Sequence, residues 1–122
     1  MMALGREHDR WTYAGGQPFF YNANRDINQA FYMDFICKDT AALFEGKRVK
    51  RFEAFARIAQ RKLNALAQAT CLDDLRAPPG NMLEALSGDR VGQYSIRINR
   101  QYRICFKWAN GAACAVEIVD YH

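Results

Sequence analysis

Apolar and polar residues alternate regularly in two neighbouring segments of the last third of the chain, residues 94–98 and 102–106. Their apolar positions are β-branched or aromatic, a pattern typical of strands with one buried face. The short polar segment between them predicts a hairpin with a three-residue loop, which places Ile96 opposite Ile104 and Arg97 opposite Arg103. A shift of one residue would expose the isoleucines and bury the arginines, so the pattern specifies this register.

A second hairpin is predicted around Asn110 and Gly111, because Asn-Gly is a strong sequence signal for a hairpin turn. A two-residue loop would set Arg103 opposite Ile118, whereas a three-residue loop with Gly111 at positive φ sets Arg103 opposite Glu117. We predict the second register, because it alone keeps one face apolar. That face would hold Tyr94, Ile96, Ile98, Tyr102, Ile104, Phe106, Cys114, Val116 and Ile118. The opposite face, called the polar face below, carries Ser95, Arg97, Arg103, Cys105 and Glu117.

The segments before these strands predict helices that cover the apolar face. An apolar stripe at helical spacing predicts a long helix over residues 52–69, and its members are Phe52, Phe55, Ala59, Leu63 and Leu66. A first strand is predicted at residues 31–37, a short helix at 41–45 and a further strand at 82–86. This order of elements predicts an α+β fold, with an antiparallel-rich sheet and two to three helices packed on one face.

Residues 1–30 differ from the rest of the chain. They lack a sustained periodic pattern, and their arginines, at positions 6, 10 and 25, are balanced by acidic residues at positions 7, 9 and 26. We interpret them as an N-terminal extension, either a flexible arm or a segment included by an upstream start codon. Residues 31–122 are predicted to form the functional domain, and they carry the whole excess of positive charge.

Length and charge limit the classes of function. The chain has 122 residues and a formal net charge of +4, which allows one small domain and favours polyanionic partners. It has no apolar run long enough to cross a membrane and no apolar signal segment near Met1, so we expect a cytoplasmic protein without membrane partners. The spacing of its four cysteines and two histidines predicts no metal site and no cofactor. Cys105 and Cys114 are expected to face opposite sides of the sheet, and all four cysteines to stay reduced.

The polar face suggests anion chemistry. Arg97 and Arg103 would repel each other directly across the strands, which predicts an anion between them. Glu117 could be that anion, in a solvated ladder of charged surface residues. Alternatively, the terminal residues Tyr121 and His122, together with Asp120, would place proton-transfer groups beside two phosphate-binding guanidinium groups. Asp120 supplies a carboxylate, Tyr121 a phenol and His122 an imidazole.

The residues that carry this pattern resemble a known family. Segments 43–52, 83–90, 93–99, 102–106 and 116–122 are similar to the HigB branch of the RelE-type toxins, bacterial toxins of toxin–antitoxin pairs. The resemblance spans roughly residue 33 to the end and includes the Gly88-Asp89-Arg90 turn and the final Asp-Tyr-His. It implies a RelE-like fold and cleavage of messenger RNA in the ribosomal A site without a metal ion.

The resemblance implies roles for single residues. Arg97 and Arg103 would hold the scissile phosphate, and His122 would act as general acid or base. Tyr121 would be a stacking or proton-positioning group beside the nucleotide. Some family members have histidine at the position of Glu84, so the second proton-transfer group stays open, with Glu84 as a candidate base. The cations predicted to contact RNA are Lys47, Arg48, Lys50, Arg51, Arg90 and Lys107. For residues 47–51, a solvated charge run is the alternative interpretation.

Partners follow from the same resemblance. It implies a HigA-like antitoxin with a helix-turn-helix domain, the ribosome and messenger RNA, with operator DNA reached only through the antitoxin. A different class of function also fits a basic sheet, namely a non-catalytic module that binds RNA, the ribosome or a promoter complex. New RNA 5′ ends in the presence of ribosomes distinguish a nuclease from a binder, because a binder leaves RNA intact.

Overall fold

A computed structural model describes residues 20–21 and 33–121. In chain order, the described elements are β1 (Phe20–Tyr21), β2 (Met33–Asp34), α1 (Lys38–Phe44), a 3₁₀ helix (Lys50–Phe55), α2 (Ala56–Gln68), 3₁₀ helices at Leu72–Arg76 and Pro79–Asn81, β3 (Glu84–Ala85), a 3₁₀ turn (Gly88–Arg90), β4 (Tyr94–Arg97), β5 (Tyr102–Ala109) and β6 (Ala112–Asp120). None of the helices in this described part is both long and apolar enough to span a bilayer. Of the N-terminal extension, only β1 is described, and its backbone pairs antiparallel with β2.

Within residues 33–121, β3, β4, β5 and β6 form an antiparallel sheet in that order. The first predicted hairpin is confirmed, because Ile96 pairs with Ile104 and Arg97 pairs with Arg103. An isolated parallel bridge between Phe35 and Val116 places β2 beside β6. The predicted α+β fold, with an antiparallel sheet and helices packed on its apolar face, is therefore confirmed.

The second hairpin differs from its predicted register. Ala109 pairs with Ala112 around a two-residue turn, and both turn residues have positive φ, 55° at Asn110 and 77° at Gly111. Further from the turn, the register shifts by one residue between Cys105 and Lys107, so that Ala115 and Val116 together oppose Phe106. This β-bulge explains the error, because an extra residue in β6 restores the apolar alternation that a two-residue loop alone would break.

The bulge changes which side chains share a face. Cys105 pairs with Glu117, and Cys114 pairs with Lys107, so both cysteines lie on the polar face. The prediction that they face opposite sides is wrong, and Ala113 takes the place expected for Cys114 in the core. All four cysteines are free thiols.

Helices close the apolar face of the sheet. The predicted stripe is buried along its whole length, with exposures of 0% at Phe52, 7% at Phe55, and 0% at both Ala59 and Leu63. The backbone departs from the prediction only at the start, because residues 50–55 form a 3₁₀ helix before α2 begins. Helix α1 lies against the edge of β6, where the Thr40 hydroxyl accepts a hydrogen bond from the backbone N–H of Ile118.

The bulge in β6 is held by a buried carboxylate from β2. Oδ1 of Asp34 accepts a hydrogen bond from the backbone N–H of Ala115, whose φ of 51° lies in the left-handed region that few non-glycine residues adopt. Asp34 is only 7% exposed, and this burial raises the pKa of its carboxyl group, while the hydrogen bond from Ala115 acts in the opposite direction. A contact across the fold therefore stabilises the irregular strand at the cost of burying an ionisable group.

We expect Asp34→Asn to make the protein less sensitive to pH. The raised pKa in the folded state means that the contribution of Asp34 is fully present below its ordinary pKa of 3.8 and is lost as pH rises through the folded value. Asparagine keeps an acceptor for Ala115 but cannot ionise. Urea unfolding between pH 3 and pH 7 should show the variant gaining stability relative to the parent as pH rises, and a constant difference would contradict this account.

Candidate functional site

Two rows of paired residues across the sheet form the centre of the polar face. In the first row Arg97 pairs with Arg103, which in turn pairs with Val119 of β6. In the neighbouring row Glu84 pairs with Ser95, Ser95 with Cys105, and Cys105 with Glu117. Directly paired residues point to the same side of a sheet. The candidate base Glu84 and the two candidate phosphate-binding arginines therefore share one face.

Arg103 is built into the sheet surface and is only 8% exposed. Its Nε donates a hydrogen bond of 2.7 Å to the hydroxyl of Ser95, and its Nη2 donates one of 2.6 Å to the backbone carbonyl of Met82. A weaker bond of 3.4 Å reaches the carbonyl of Ser95. This guanidinium group therefore ties the loop that precedes β3 to the middle of the sheet.

Arg97 is more accessible and lies beside the same loop. Its Nε donates a 3.0 Å hydrogen bond to the carbonyl of Asn99, and its Nη1 lies 3.7 Å from the sulfur of Met82. Asn99 in turn orders the β4–β5 loop, since its side-chain oxygen accepts hydrogen bonds from the N–H groups of Gln101 and Tyr102. The side chain of Arg97 is thus directed towards Met82.

Neither of these arginines has an acidic partner in the described residues. Glu117, which the predicted register placed opposite Arg103, lies opposite Cys105 instead, two residues further along β5, and Val119 takes the place opposite Arg103. It pairs instead with Arg90, at 3.2 Å, and Arg90 also donates to the side chain of Gln93. The alternative of an alternating ladder of Arg97, Glu117 and Arg103 is therefore wrong, and the two adjacent guanidinium groups have no counter-ion within residues 33–121.

The end of the chain is anchored close to this face. The backbone N–H of Tyr121 donates a 2.6 Å hydrogen bond to the carbonyl of Gln101, and the Gln101 side chain donates to the carboxylate of Asp120. Alternation from Val119 puts Tyr121 on the polar side, where it is 40% exposed. His122 lies outside the described residues.

The basic segment at residues 47–51 belongs to the helical layer, and most of its charge is neutralised. Lys47 pairs with Glu45 and Arg48 with Glu53, while Nε of Arg51 donates a 2.8 Å hydrogen bond to Asp39. The guanidinium of Arg51 also lies 4.4 Å above the ring of Phe52. An open pocket of about 420 Å³ lies between this segment and α1. Of the four cations in this segment, Lys50 alone has no acidic partner among the described residues. Because the other three are already paired with carboxylates, the structure favours the interpretation as a solvated charge run.

The remaining predicted cations lie on the other half of the polar face. Lys107 is exposed and shares that face with Cys105, two residues earlier in β5. Arg90, in the turn after β3, reaches the polar face through its ion pair with Glu117. The Cys105 thiol beneath these groups is fully buried, and burial raises its pKa, with Arg90 acting in the opposite direction. This thiol is therefore held in the protonated form, unsuited to act as a nucleophile.

Three supporting residues were not predicted from the sequence. Ser95 was seen only as a polar position in a strand, and Met82 as the first residue of the next strand. Asn81 is 2% exposed and donates hydrogen bonds to the carbonyls of Leu75 and Ala77. Their roles depend on contacts between segments distant in sequence, which alternation does not encode.

Among the described residues, no group of three or more His, Cys, Asp or Glu side chains is placed to hold a metal ion.

Arg103→Ala is expected to destabilise the fold. The substitution removes the donor to the Met82 carbonyl and to the Ser95 hydroxyl, and leaving such a group unsatisfied costs about 1–3 kcal/mol. Chemical unfolding of the variant should show a loss of this size. Arg100→Ala, in the exposed loop between the same strands, is the matched control and should leave stability unchanged. Equal stability of the two variants would mean that the Arg103 contacts contribute little.

Comparison with known proteins adds a further finding. A model of the family described as "RelE-like toxin of type II toxin-antitoxin system HigB" matches residues 42–122. Toxin HigB-1 of Vibrio cholerae is 51% identical over 53 residues, which cover 43% of this chain and 56% of that protein. An uncharacterized protein of Haemophilus influenzae is 41% identical over 54 residues, covering 44% of this chain and 54% of that protein. The matched parts thus correspond to about half the length of these curated relatives.

Proposed function

The chain belongs to the HigB-like family of RelE-like toxins of type II toxin–antitoxin systems, and on that premise we propose that it inhibits translation by cutting messenger RNA on the ribosome, without a metal ion. The single observation that carries this proposal is the pair Arg97 and Arg103, adjacent across two strands and without an acidic partner in the described residues. Guanidinium groups are preferred side chains for binding phosphate, because their fork of N–H donors matches the phosphate oxygens.

The burial of Arg103 supports an anionic substrate. Arg103 is 8% exposed, and the groups that bind its side chain in the described part of the chain are a hydroxyl and two carbonyl groups. These neutral groups supply no opposite charge to compensate for its burial. A phosphodiester above the pair would supply that charge. We assign direct phosphate contact to the more accessible Arg97, and to Arg103 the role of holding the Met82 loop and raising the local positive potential.

The proposed reaction uses the 2′-hydroxyl of the RNA as nucleophile. Its oxygen attacks the adjacent phosphorus, the bond to the 5′-oxygen breaks, and the products are a 2′,3′-cyclic phosphate and a 5′-hydroxyl end. A base must take the proton of the 2′-hydroxyl, and an acid must protonate the leaving oxygen. Glu84 and His122 are the proposed pair for these steps, and Tyr121 is proposed to contact the nucleotide. Negative charge that develops on the phosphate is stabilised by Arg97.

Family membership also implies an antitoxin partner, which we propose to be HigA-like and to carry a helix-turn-helix domain. The ribosome and messenger RNA are the other proposed partners, and operator DNA would be reached only through the antitoxin. Purified toxin should inhibit a cell-free translation system, and stoichiometric antitoxin should restore it.

The deciding experiment maps RNA 5′ ends after a short induction of the chain in bacteria, with and without the antitoxin. New 5′-hydroxyl ends within coding regions are expected only without the antitoxin. The same mapping with purified ribosomes, using toxin that was treated with a chelator and then desalted, tests whether cleavage depends on a metal bound to the toxin. If translation stops while messenger RNA stays intact, the chain acts as a binding module and the nuclease proposal is wrong.

A further inference from the structure

Met82 is the most unusual side chain next to the paired arginines. It is 50% exposed, although it is a large apolar residue, and its φ of 46° is rare outside glycine, asparagine and aspartate. Such a conformation is strained and persists only where surrounding contacts impose it. The loop therefore presents an apolar side chain to solvent at an energetic cost.

The surrounding contacts that hold Met82 are visible. Its carbonyl accepts a hydrogen bond from Arg103, and its N–H donates one of 3.1 Å to the carbonyl of Pro79. The preceding residue, Asn81, is buried and also accepts a hydrogen bond from Nζ of Lys62 in α2. Both the sheet and the long helix thus fix the backbone of this loop.

Its side chain completes the row of the arginines. Continuing the β3–β4 register two residues back from Glu84 brings Met82 level with Arg97, and the 3.7 Å distance between Met82 sulfur and Arg97 Nη1 agrees with this position. On the other side of the pair the row ends at Val119, with Tyr121 two residues further on. The two guanidinium groups are therefore flanked by the thioether of Met82 on one side and by Val119 on the other.

We propose that Met82 forms the apolar wall of a nucleobase subsite, on the β3 side of the phosphate that Arg97 binds. A polarisable thioether makes favourable contacts with aromatic rings, and the phosphate contact brings a neighbouring base within reach. The inference rests on the proposed RNA cleavage and extends it, because it makes Met82 a residue that selects and positions one nucleotide next to the scissile bond.

Two substitutions separate this role from a structural one. Met82→Asn removes the apolar surface with a residue that tolerates positive φ, so the loop should keep its conformation. Met82→Leu keeps the apolar volume at the same backbone conformation. Met82→Leu should unfold at the denaturant concentration of the parent, and Met82→Asn at the same or a higher concentration because asparagine relieves backbone strain. The affinity for a base-containing ligand should weaken on the order of fivefold to tenfold in Met82→Asn only.

The test follows the methyl group of Met82 by NMR, in protein labelled with ¹³C at methionine methyl groups and assigned through the leucine variant. The probe is a dinucleoside monophosphate with 2′-deoxyribose on the 5′ side, which cannot be cut, and dimethyl phosphate is the control without bases. The dinucleotide should move the Met82 methyl signal upfield through ring current, and dimethyl phosphate should not. An equal response to both, or none to the dinucleotide, would overturn the assignment.

These measurements need no cleavage, so they are independent of the proposed function. If wild-type protein cuts no RNA on ribosomes, the nuclease proposal fails while the methyl signal still decides whether a base contacts Met82. If RNA is cut, the sites cut by Met82→Asn should be redistributed and those cut by Met82→Leu preserved. An unchanged distribution in both variants would exclude Met82 from nucleotide selection.

Discussion

Arg97→Ala should abolish growth arrest while leaving the protein folded. The guanidinium of Arg97 is proposed to stabilise charge that develops on the scissile phosphate, and loss of a strong electrostatic donor of this kind costs about 2–4 kcal/mol of barrier stabilisation. That range corresponds to a fall of roughly thirtyfold to a thousandfold in the single-turnover cleavage rate. The folded state should survive, because the structural bonds of Arg97 are one to the carbonyl of Asn99 and one to the sulfur of Met82.

Arg100→Ala is the matched control for this experiment. It removes the same side chain three residues along the chain, from the exposed loop between β4 and β5. Cleavage should stay near the wild-type rate if position on the polar face, rather than total charge, governs the reaction. A folded Arg97→Ala protein that cuts RNA normally would remove Arg97 from the site and leave the phosphate role to Arg103.

His122→Gln is expected to lower the single-turnover cleavage rate by roughly a hundredfold to ten-thousandfold, the range typical of a lost general acid or base. Glutamine retains hydrogen bonding but cannot titrate, so binding to ribosomes and antitoxin should change little. Tyr121, the preceding residue, is anchored to the sheet by its bond to Gln101, which brings His122 within one residue of a fixed point. The rate should be measured under single-turnover conditions with ribosomes and a defined messenger RNA.

The second histidine offers the control. His8→Gln alters the same side chain in the N-terminal extension and should leave the rate unchanged. In addition, the wild-type rate should depend on pH near neutrality, where an imidazole ordinarily titrates, and this dependence should disappear in His122→Gln. Near-normal cleavage by the glutamine variant would give His122 a binding role and move the proton chemistry to Glu84, Tyr121 or the RNA itself.

Local patterns in the sequence determined the first hairpin and the core stripe of α2. The pairing of Arg97 with Arg103 follows from alternation together with the short loop. A shift of one residue would bury charge and expose isoleucine, and the length of the loop specifies the register among those that keep the alternation. Helical spacing likewise identified Phe52, Phe55 and Leu63 as core residues, and they are fully or nearly buried. These features depend on residues close together in the chain, which is why period and composition were sufficient to predict them.

The site itself was only partly visible in this way. Alternation placed both arginines on the polar face, but it could not indicate that Arg103 is buried while Arg97 is only partly buried. That difference arises because the loop at Met82 packs over Arg103, and the loop is held there by Asn81 and Lys62. In the sequence, Met82 had the pattern of an ordinary strand residue.

Only the tertiary structure decided the second hairpin and the pairing of its charges. An Asn-Gly turn is compatible with either loop length, and the bulge at Ala115 requires a strained backbone that no local propensity favours. The bulge is stabilised by the carboxylate of Asp34, which lies 81 residues earlier in the chain. That distant contact directs Glu117 to Arg90 and leaves Arg97 and Arg103 without a carboxylate in the described residues, because a shift of one residue changes which side chains meet across a sheet.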